Sequence, residues 1–493
     1  MHIKLLGKKD INCFVFCDFS KAFDKVWHRG LIYKMKAYGV DGNVLNWFQD
    51  YLHDRKQRVV LNNSSSSFCN VSAGVPQGSV LGPLLFVLYI NDIADKLTSL
   101  CRLFADDTSF NYSGNDGEQI RSVIDRDLKE LDVWSSKWLM SFNPDKTEIM
   151  IFSNIETPDL SFSLNGKNIP LSTSHKHLGV NFSSDAKWNN HIESIIISVK
   201  KHLNVLRKLK YRLSRNNLEK LYLVFIRPIF EYATEVWDNC GIGYSNKLEN
   251  LQLEAARIVT GLPIFTKTET LYSEVGWESL FERRRRRKLQ MFYNMNQKHA
   301  PEYLCNIVPP CVQSTTNYPL RNGHDIIVPF CRLSLTTESF IPSTIREWNK
   351  LDPKIRSVDS ISKFKKELKN DSLVCKIETF YLYGPRKLNI ILTQLRCSAS
   401  SLNNDLFRAN IINDPSCHCG SDIEDVYHYL FVCPKYTLCR KNLFDNLNWL
   451  SENFVLDTKL LICGHLELSN EQNIQIFKHV QNYIKRSNRF LMP

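Results

Sequence analysis

The chain has 493 residues, with 63 Lys and Arg against 51 Asp and Glu, and the formal net charge of +12 points to a polyanion as its natural partner. Hydrophobic residues make up 43% and aromatics 11% of the sequence, ample for buried cores, so wholesale disorder is excluded. At roughly 100–200 residues per domain the length suggests about three domains.

The first predicted element is a strand over Ile11–Cys17, a continuous apolar run of the kind buried on both faces, and it ends at a carboxylate, Asp18. Two helices follow: one carries Leu31, Ile32 and Met35 before Gly39 as a C-terminal stop, and the other runs behind Asp41 through Val44, Leu45, Phe48, Tyr51 and Leu52. Arg58–Leu61 and Phe68–Ser72 read as a hairpin around a polar loop. A glycine-punctuated loop, Ala73–Gly82, leads into a helix with Pro83 near its first turn and Leu84–Ile93 behind it.

Leu103–Ala105 and Thr108–Tyr112 are short β-type runs that place Asp106 and Asp107 at a hairpin tip. A long amphipathic helix then carries Ile120, Val123, Ile124, Leu128, Leu131, Trp134 and Trp138. Glu148–Phe152 is a strand, Asn165-Gly166 a hairpin signal and Leu178–Phe182 a further strand, so residues 1–185 alternate strands and helices as an α+β domain does. From about Trp188 the pattern is helical, first Ile192–Leu209 and then Leu218–Ile226. A mixed segment with Pro309, Pro310 and Pro319 runs to about Asn370, a cysteine-bearing region covers Cys397–Cys439, and Asn470–Asn488 is a last helix. The predicted divisions are 1–185, 186–300, 301–396 and 397–493.

Fifteen cysteines, scattered and odd in number behind an N-terminus that reads MHIKLLGKKD, fit a reduced compartment. The sequons at Asn63, Asn70, Asn111 and Asn181 then carry no weight. The most apolar stretches, Val80–Ile90 and Leu221–Phe230, fall short of the ~20 residues of a bilayer span. No membrane partner is expected.

Asp106-Asp107 alone reads as a polar β-turn, yet no glycine relieves this turn. Three carboxylates, Asp18 with this pair, would repel one another unless cations neutralise them. Two Mg²⁺ ions held about 3.5–4 Å apart by such a set can activate a hydroxyl and stabilise a leaving oxygen in phosphoryl transfer.

The motif FADD at Phe104–Asp107, with DFSKAFD at Asp18–Asp24 and GVPQGSVLGPLLFVLYIND at Gly74–Asp92, resembles the reverse transcriptases of non-LTR retrotransposons (LINEs) of the jockey-like kind. The resemblance implies a right-hand polymerase palm with a helical thumb, followed by an α-rich connector and a small zinc-type C-terminal element. It implies Asp18 and Asp106 as the metal-binding pair with Asp107 in support, and Phe23 as the aromatic under the sugar that excludes a 2′-hydroxyl. Gln77 and Gly78 match the loop against the incoming nucleotide and template. Lys146, in NPDKTEIMIF, matches a lysine that protonates the pyrophosphate leaving group. His177-Leu178-Gly179-Val180 looks like the primer-gripping hairpin, and the helices after Trp188 look like the thumb.

Arg283, Arg284, Arg285, Arg286, Arg287 and Lys288 form the densest charge in the chain. On a helix they point all round the axis, which fits a phosphate-tracking patch or a nuclear-import signal, or else a helix whose arginines pair with Glu278, Glu282 and neighbouring acids. Cys417, Cys419, His428 and Cys433 lie within 17 positions, a zinc-like density, with reduced buried cysteines as the alternative. The set resembles the Cys-Cys-His-Cys element near the C-terminus of LINE proteins, although it opens with Cys-x-Cys, and His418 and Cys439 are competing donors.

The resemblance thus implies an RNA-directed DNA polymerase that takes an RNA template, a DNA primer or target and deoxynucleoside triphosphates, with two Mg²⁺ ions and a zinc ion. The implied location is nuclear, with assembly on RNA in the cytoplasm as an option. The fingers region of such enzymes is largely missing before Asp18, so the reading is an N-terminally truncated frame. The alternative is a catalytically impaired remnant that only binds nucleic acid.

Overall fold

Seven consecutive buried residues, Ile11–Cys17, form an inner strand of a four-stranded antiparallel sheet. The order across the sheet is Leu100–Phe104, Asp107–Gly114, Ile11–Cys17, Glu148–Ser153. The computed structural model describes residues 11–153, 160–315, 318, 320, 322–331, 334–370, 378–450 and 454–490. The chain divides into two compact units, Met1–His191 and Ile192–Pro493.

In the first unit the period of two sends Ile11, Cys13, Val15 and Cys17 to one face of the sheet. There they join a single core with Leu85, Phe86 and Tyr89 from the helix Leu81–Ile90, and with Ile120, Ile124, Leu128 and Leu131 from the helix Gly117–Lys137. Phe14 and Phe16 take the other face; Phe14 meets Phe152 edge-on at 5.4 Å and Phe16 stacks on His175 at 3.9 Å. Both faces are therefore covered, which is why the run contains no polar alternation.

The helices His28–Ala37 and Gly42–Leu52 lie where the pattern of Leu31, Met35, Leu45 and Leu52 puts them. The 58–72 hairpin is present in broken form: Lys56–Gln57 pairs with Cys69–Asn70, and Val60–Leu61 with Ser64–Ser65. Asn165-Gly166 turns the strand Phe162–Leu164 into Lys167–Ile169. Leu178 departs from its expected strand: Ser174–His177 pairs with Val180–Ser183, and Leu178-Gly179 is the connecting turn, with φ +46° and +80°. Two left-handed residues match the twist of a two-residue hairpin, and here that geometry outweighs the β preference of leucine.

The second unit is helical among the described residues, and its packing crosses two of the expected divisions. Leu289, Phe292, Tyr293 and Met295 share a core with Ile326, Ile345, Trp348 and Phe364, so the helix Leu280–Asn296 belongs with the segment after residue 300. Phe380, Ile391 and Leu395 join Tyr429, Leu447, Leu461 and Phe477 in another core, which crosses 396/397. The C-terminal region is thus a helical body in which the Cys/His set is embedded; it is larger than the small element expected. The mixed connector contains helices and one isolated β-bridge, Cys311 with Ile326, among its described residues.

The arginine run requires a further correction, because every cation in it meets a carboxylate. Arg283 pairs with Glu231 at 2.5 Å and with Glu278 at 3.3 Å, and Arg284, 3% exposed, pairs with Asp238 at 2.7 Å. Arg285 meets Glu347 at 2.9 Å, Arg287 meets Glu235 at 3.0 Å, Arg286 is bidentate to Glu278, and Lys288 is bound by Asp238. The run is an ion-pair hub joining three parts of the unit, and its charges do not form a free phosphate-tracking face.

A second buried ionic cluster binds Glu274 between Arg215 at 2.5 Å and Arg396 at 2.6 Å. Burial alone would raise the Glu274 carboxyl, but Arg396 and Arg215 outweigh it and hold the pKa below its ordinary value. Glu274→Gln is expected to cost about 3–5 kcal/mol of stability, because it leaves two buried guanidiniums without their counter-charge. The folded-state pKa lies below the unfolded one, so this contribution is present above the unfolded carboxylate range and lost as pH falls through the folded value. Urea denaturation of both proteins against pH checks it: the gap in midpoint should be wide at neutral pH and narrow below about pH 4.

Candidate active site and metal centre

Register assembles the carboxylates. The inner strand pairs antiparallel with both neighbours, Cys17 opposite Thr108 on one side and Phe16 opposite Glu148 on the other. One more step along the first register sets Asp18 beside Asp107, and two more along the second set it beside Lys146. The contact is made: Lys146 Nζ lies 3.8 Å from Asp18 Oδ2. Asp106 sits in the turn before Asp107, where Phe104 pairs with Asp107. Ala105 takes φ +52° there, a left-handed conformation that glycine would adopt without steric cost. Asp106 and Asp107 are exposed and Asp18 half-buried, so the group is open to ligand.

The backbone around Asp18 is fixed from the far side of the sheet. Its carbonyl accepts from Asn143 N–H at 2.7 Å, its N–H donates to Thr147 Oγ1 at 3.4 Å, and Ser20 N–H donates to Ser141 at 2.8 Å. These bonds tie the NPDK loop to the aspartate and so position Lys146.

The glycine loop is fastened to the segment after Asp18. Gly74 N–H donates to the Val26 carbonyl and Val75 N–H to that of Phe23, both at 2.8 Å, while His28 Nε2 bonds the Gly74 carbonyl at 2.8 Å. Gln77 Nε2 donates to Asp24 Oδ1 at 3.1 Å. Gly78 is exposed at φ +82° with nothing within 4 Å of a would-be Cβ, so its backbone is bare to solvent. Phe23 is half-buried and stacks on Phe86 at 4.5 Å, so part of its ring packs against the core.

One residue that was not singled out in the sequence, His175, stands beside this group, in the hairpin that was read from His177-Leu178-Gly179-Val180. His175 Nδ1 lies 2.7 Å from Glu148 Oε2 and its ring stacks on Phe16, fastening the hairpin Ser174–Ser183 to the open face of the sheet. The same hairpin carries His177, whose pKa is lowered by burial while the charge of Asp107 acts in the opposite direction. The alternation His175, His177 ahead of a glycine turn was the available signal.

In the second unit, Cys417, Cys419, His428 and Cys433 offer four donor atoms that all lie within 4.8 Å of one another. Cys417 Sγ is 4.0 Å from Cys433 Sγ and Cys419 Sγ 3.3 Å from His428 Nε2. His418 and Cys439 are outside the set. Local backbone makes the cluster. His428–Val432 is a π-helical turn whose closing bond, Cys433 N–H to the His428 carbonyl at 2.8 Å, brings residues five apart together. Gly420, at φ +94°, turns the chain behind Cys-x-Cys, with Cys417 N–H bonded to the Ser421 carbonyl at 2.8 Å. Burial pushes the Cys417 thiol up to about 12 and raises that of Cys433, whereas the Ser421 N–H draws Cys419 down. Three sulfurs this close are held as thiolates only by a cation, and the separations suit a tetrahedral ion with sulfur bonds of about 2.3 Å.

Residues 2–182 match the family model described as reverse transcriptase (RNA-dependent DNA polymerase). The chain is 28% identical over 305 residues to a probable RNA-directed DNA polymerase from transposon BS of Drosophila melanogaster, covering 58% of this chain and 33% of that protein. It is 28% identical over 280 residues to the RNA-directed DNA polymerase from mobile element jockey of Drosophila funebris, covering 55% and 30%. A match at 21% identity to the Pol polyprotein from type-1 retrotransposable element R1 of Bradysia coprophila extends over 93% of this chain and 44% of that protein. The resemblance to non-LTR retrotransposon reverse transcriptases drawn from the motifs therefore holds, and with it the palm-type fold of the first unit. The chain spans about a third of the length of the first two relatives.

Gly74 offers a test of the loop anchor. At φ +95° its Cβ would stand 2.8 Å from the Asp24 carbonyl oxygen, whereas at Gly39, φ +87°, nothing lies within 4 Å. Gly39→Ala is expected to cost about 1–2 kcal/mol from backbone conformation alone. Gly74→Ala should cost more, because backbone must also move. Comparison of the two unfolding midpoints isolates the contact.

Proposed function

We propose that the chain is an RNA-directed DNA polymerase of the jockey-like, non-LTR retrotransposon kind, extending a DNA primer on an RNA template from deoxynucleoside triphosphates. The observation that carries it is the register that sets Asp18 between Asp107 and Lys146 at one end of the sheet. Oxygen donors on rigid strand ends fit a hard cation, and Asp18 and Asp106, with Asp107 in support, would hold two Mg²⁺ ions. When bound, these ions lower the pKa of the primer 3′-hydroxyl and offset charge on the α-phosphate and the leaving oxygen.

The chain's own residues do the rest. The Lys146 ammonium, held near Asp18, gives a proton to the departing pyrophosphate. Gln77, braced on Asp24, and the bare backbone of Gly78 define where the nucleotide pairs with the template. The open face of Phe23 closes the space a 2′-hydroxyl would need. The hairpin Ser174–Ser183, latched by His175 to Glu148, holds the primer end, and the helices from Asn189 serve as thumb.

The donor chemistry of Cys417, Cys419, His428 and Cys433 fits Zn²⁺, which would cross-link the π-turn to the Cys-x-Cys loop and stiffen a surface for RNA or target DNA. We place the activity in the nucleus, where a DNA primer is found.

Asp106→Asn should reduce primer extension on an RNA template below detection while RNA affinity changes by less than about twofold, since one carboxylate contributes little to phosphate binding. Extension by the variant at the wild-type rate would refute the site, and binding without extension by the wild type would favour the binding-only alternative. The purified chain should also contain one zinc by elemental analysis. Cys433→Ser should lose that zinc and melt at lower temperature, as structural zinc contributes folding energy directly.

A further inference from the structure

Arg440 is half-buried, yet among the described residues no carboxylate pairs with it. It stands in the first turn of the helix Thr437–Leu447 and reaches back to the π-turn His428–Val432 and the cysteine behind it. Its Nε–H donates to the Leu430 carbonyl at 2.9 Å, and Nη2–H donates to the Cys433 carbonyl at 2.6 Å. The planar guanidinium fork therefore grips the chain at two points, one of which is the main chain of a residue in the Cys/His set.

The position is electrostatically poor for an arginine. A helix N-terminus carries partial positive charge, which an acid in the first turn would offset. Here that turn holds no acid and Tyr436 supplies no side-chain cap, so the arginine and the helix end bring like charge together. What lies beside them is the thiolate set. A divalent ion held by three thiolates and a neutral imidazole leaves one net negative charge. On the Cys417 side the cation is already engaged: Glu424 Oε1 lies 3.9 Å from Cys417 Sγ, and Arg489 holds both oxygens of that buried carboxylate, at 2.8 and 2.7 Å. Asp425 caps the start of the π-turn, where its charge meets the His428 N–H at 2.7 Å. Arg440 remains, one unpaired cation beside a centre with one negative charge in excess.

We propose that Arg440 is the counter-charge and positioning residue of the centre formed by Cys417, Cys419, His428 and Cys433. Its cation offsets the net negative charge of the zinc-loaded set, and its fork fixes the main chain from which the Cys433 sulfur is aimed. The inference rests on the zinc reading above and adds to it a residue outside the four donors. A group that acts on the loaded centre must stabilise the loaded protein more than the empty one, and that difference appears as metal affinity. An arginine that only braced the turn would stabilise both forms alike.

The test is the zinc affinity of the full chain, measured by competition with a chromophoric chelator, together with the unfolding midpoints of the metal-free and zinc-loaded forms. Arg440→Gln should weaken zinc binding about tenfold or more, the scale of contacts that support metal ligands from behind. It should also lower the midpoint of the loaded form more than that of the metal-free form. Arg440→Lys keeps the charge without the fork and should recover part of the affinity. Lys441→Gln, which removes the exposed charge adjacent in sequence, should match the wild type. Unchanged affinity in Arg440→Gln, with equal loss of stability in both forms, would overturn the inference and leave a bracing arginine only. So would Arg440→Lys binding zinc no more tightly than Arg440→Gln. Failure of the zinc reading registers separately, as a wild-type chain that takes up no zinc.

Discussion

Everything at the carboxylate site depends on one strand being paired on both sides in antiparallel register. Because both neighbours run against Ile11–Cys17, their beginnings lie at its end, so residues far apart in sequence arrive together without any loop having to reach. A slip of one residue on either side would turn Asp107 or Lys146 to the opposite face and disperse the set. The protection against such a slip is the core: Cys13, Val15 and Cys17 are buried with Phe110 and Ile149, and moving any of them outward would expose apolar surface. At about 1.5–3 kcal/mol per large apolar side chain, a register shift costs more than the site's charge repulsion could recover.

This part of the molecule was legible in the sequence because its signals are local or periodic. An unbroken apolar run gave the inner strand, and the turn at Asp106 came from two flanking β-type segments. What could not be read was which side of the strand each neighbour takes, and hence that Lys146 faces Asp18. Leu178 was misplaced for a related reason. A leucine beside a glycine reads as strand by propensity, yet a two-residue turn matched to strand twist takes whatever residue occupies it.

The arginine run illustrates the opposite case, a signal that is loud in sequence and changed by tertiary structure. Arg287 lies 52 residues from Glu235 and Arg285 62 from Glu347, separations at which pairing has no sequence signature. Folded, the run holds three segments together, and the excess charge of the chain lies elsewhere. Buried or half-buried pairs of this kind have low net worth relative to apolar packing, but each is expensive to break singly. The hub therefore acts as a constraint on geometry.

The Cys/His set shows how far spacing alone carries. Residue types and density suggested four soft donors, while the opening Cys-x-Cys departed from the family's pattern and His418 and Cys439 stood as competing donors. In the structure the backbone selects the four and leaves His418 and Cys439 out: a π-turn brings His428 and Cys433 close, and the left-handed Gly420 turns the chain behind Cys419. Such turns are costly relative to a regular helix and persist where something rewards them. Here four donors converge where burial raises two thiols and a backbone N–H lowers a third, an arrangement that is uncomfortable when empty and favourable around a soft cation. The hard oxygen donors of the sheet and the soft sulfur donors of the helical body are thus set by the same means, main-chain geometry fixed by a surrounding core, and the chemistry of each follows from the side chains that geometry presents.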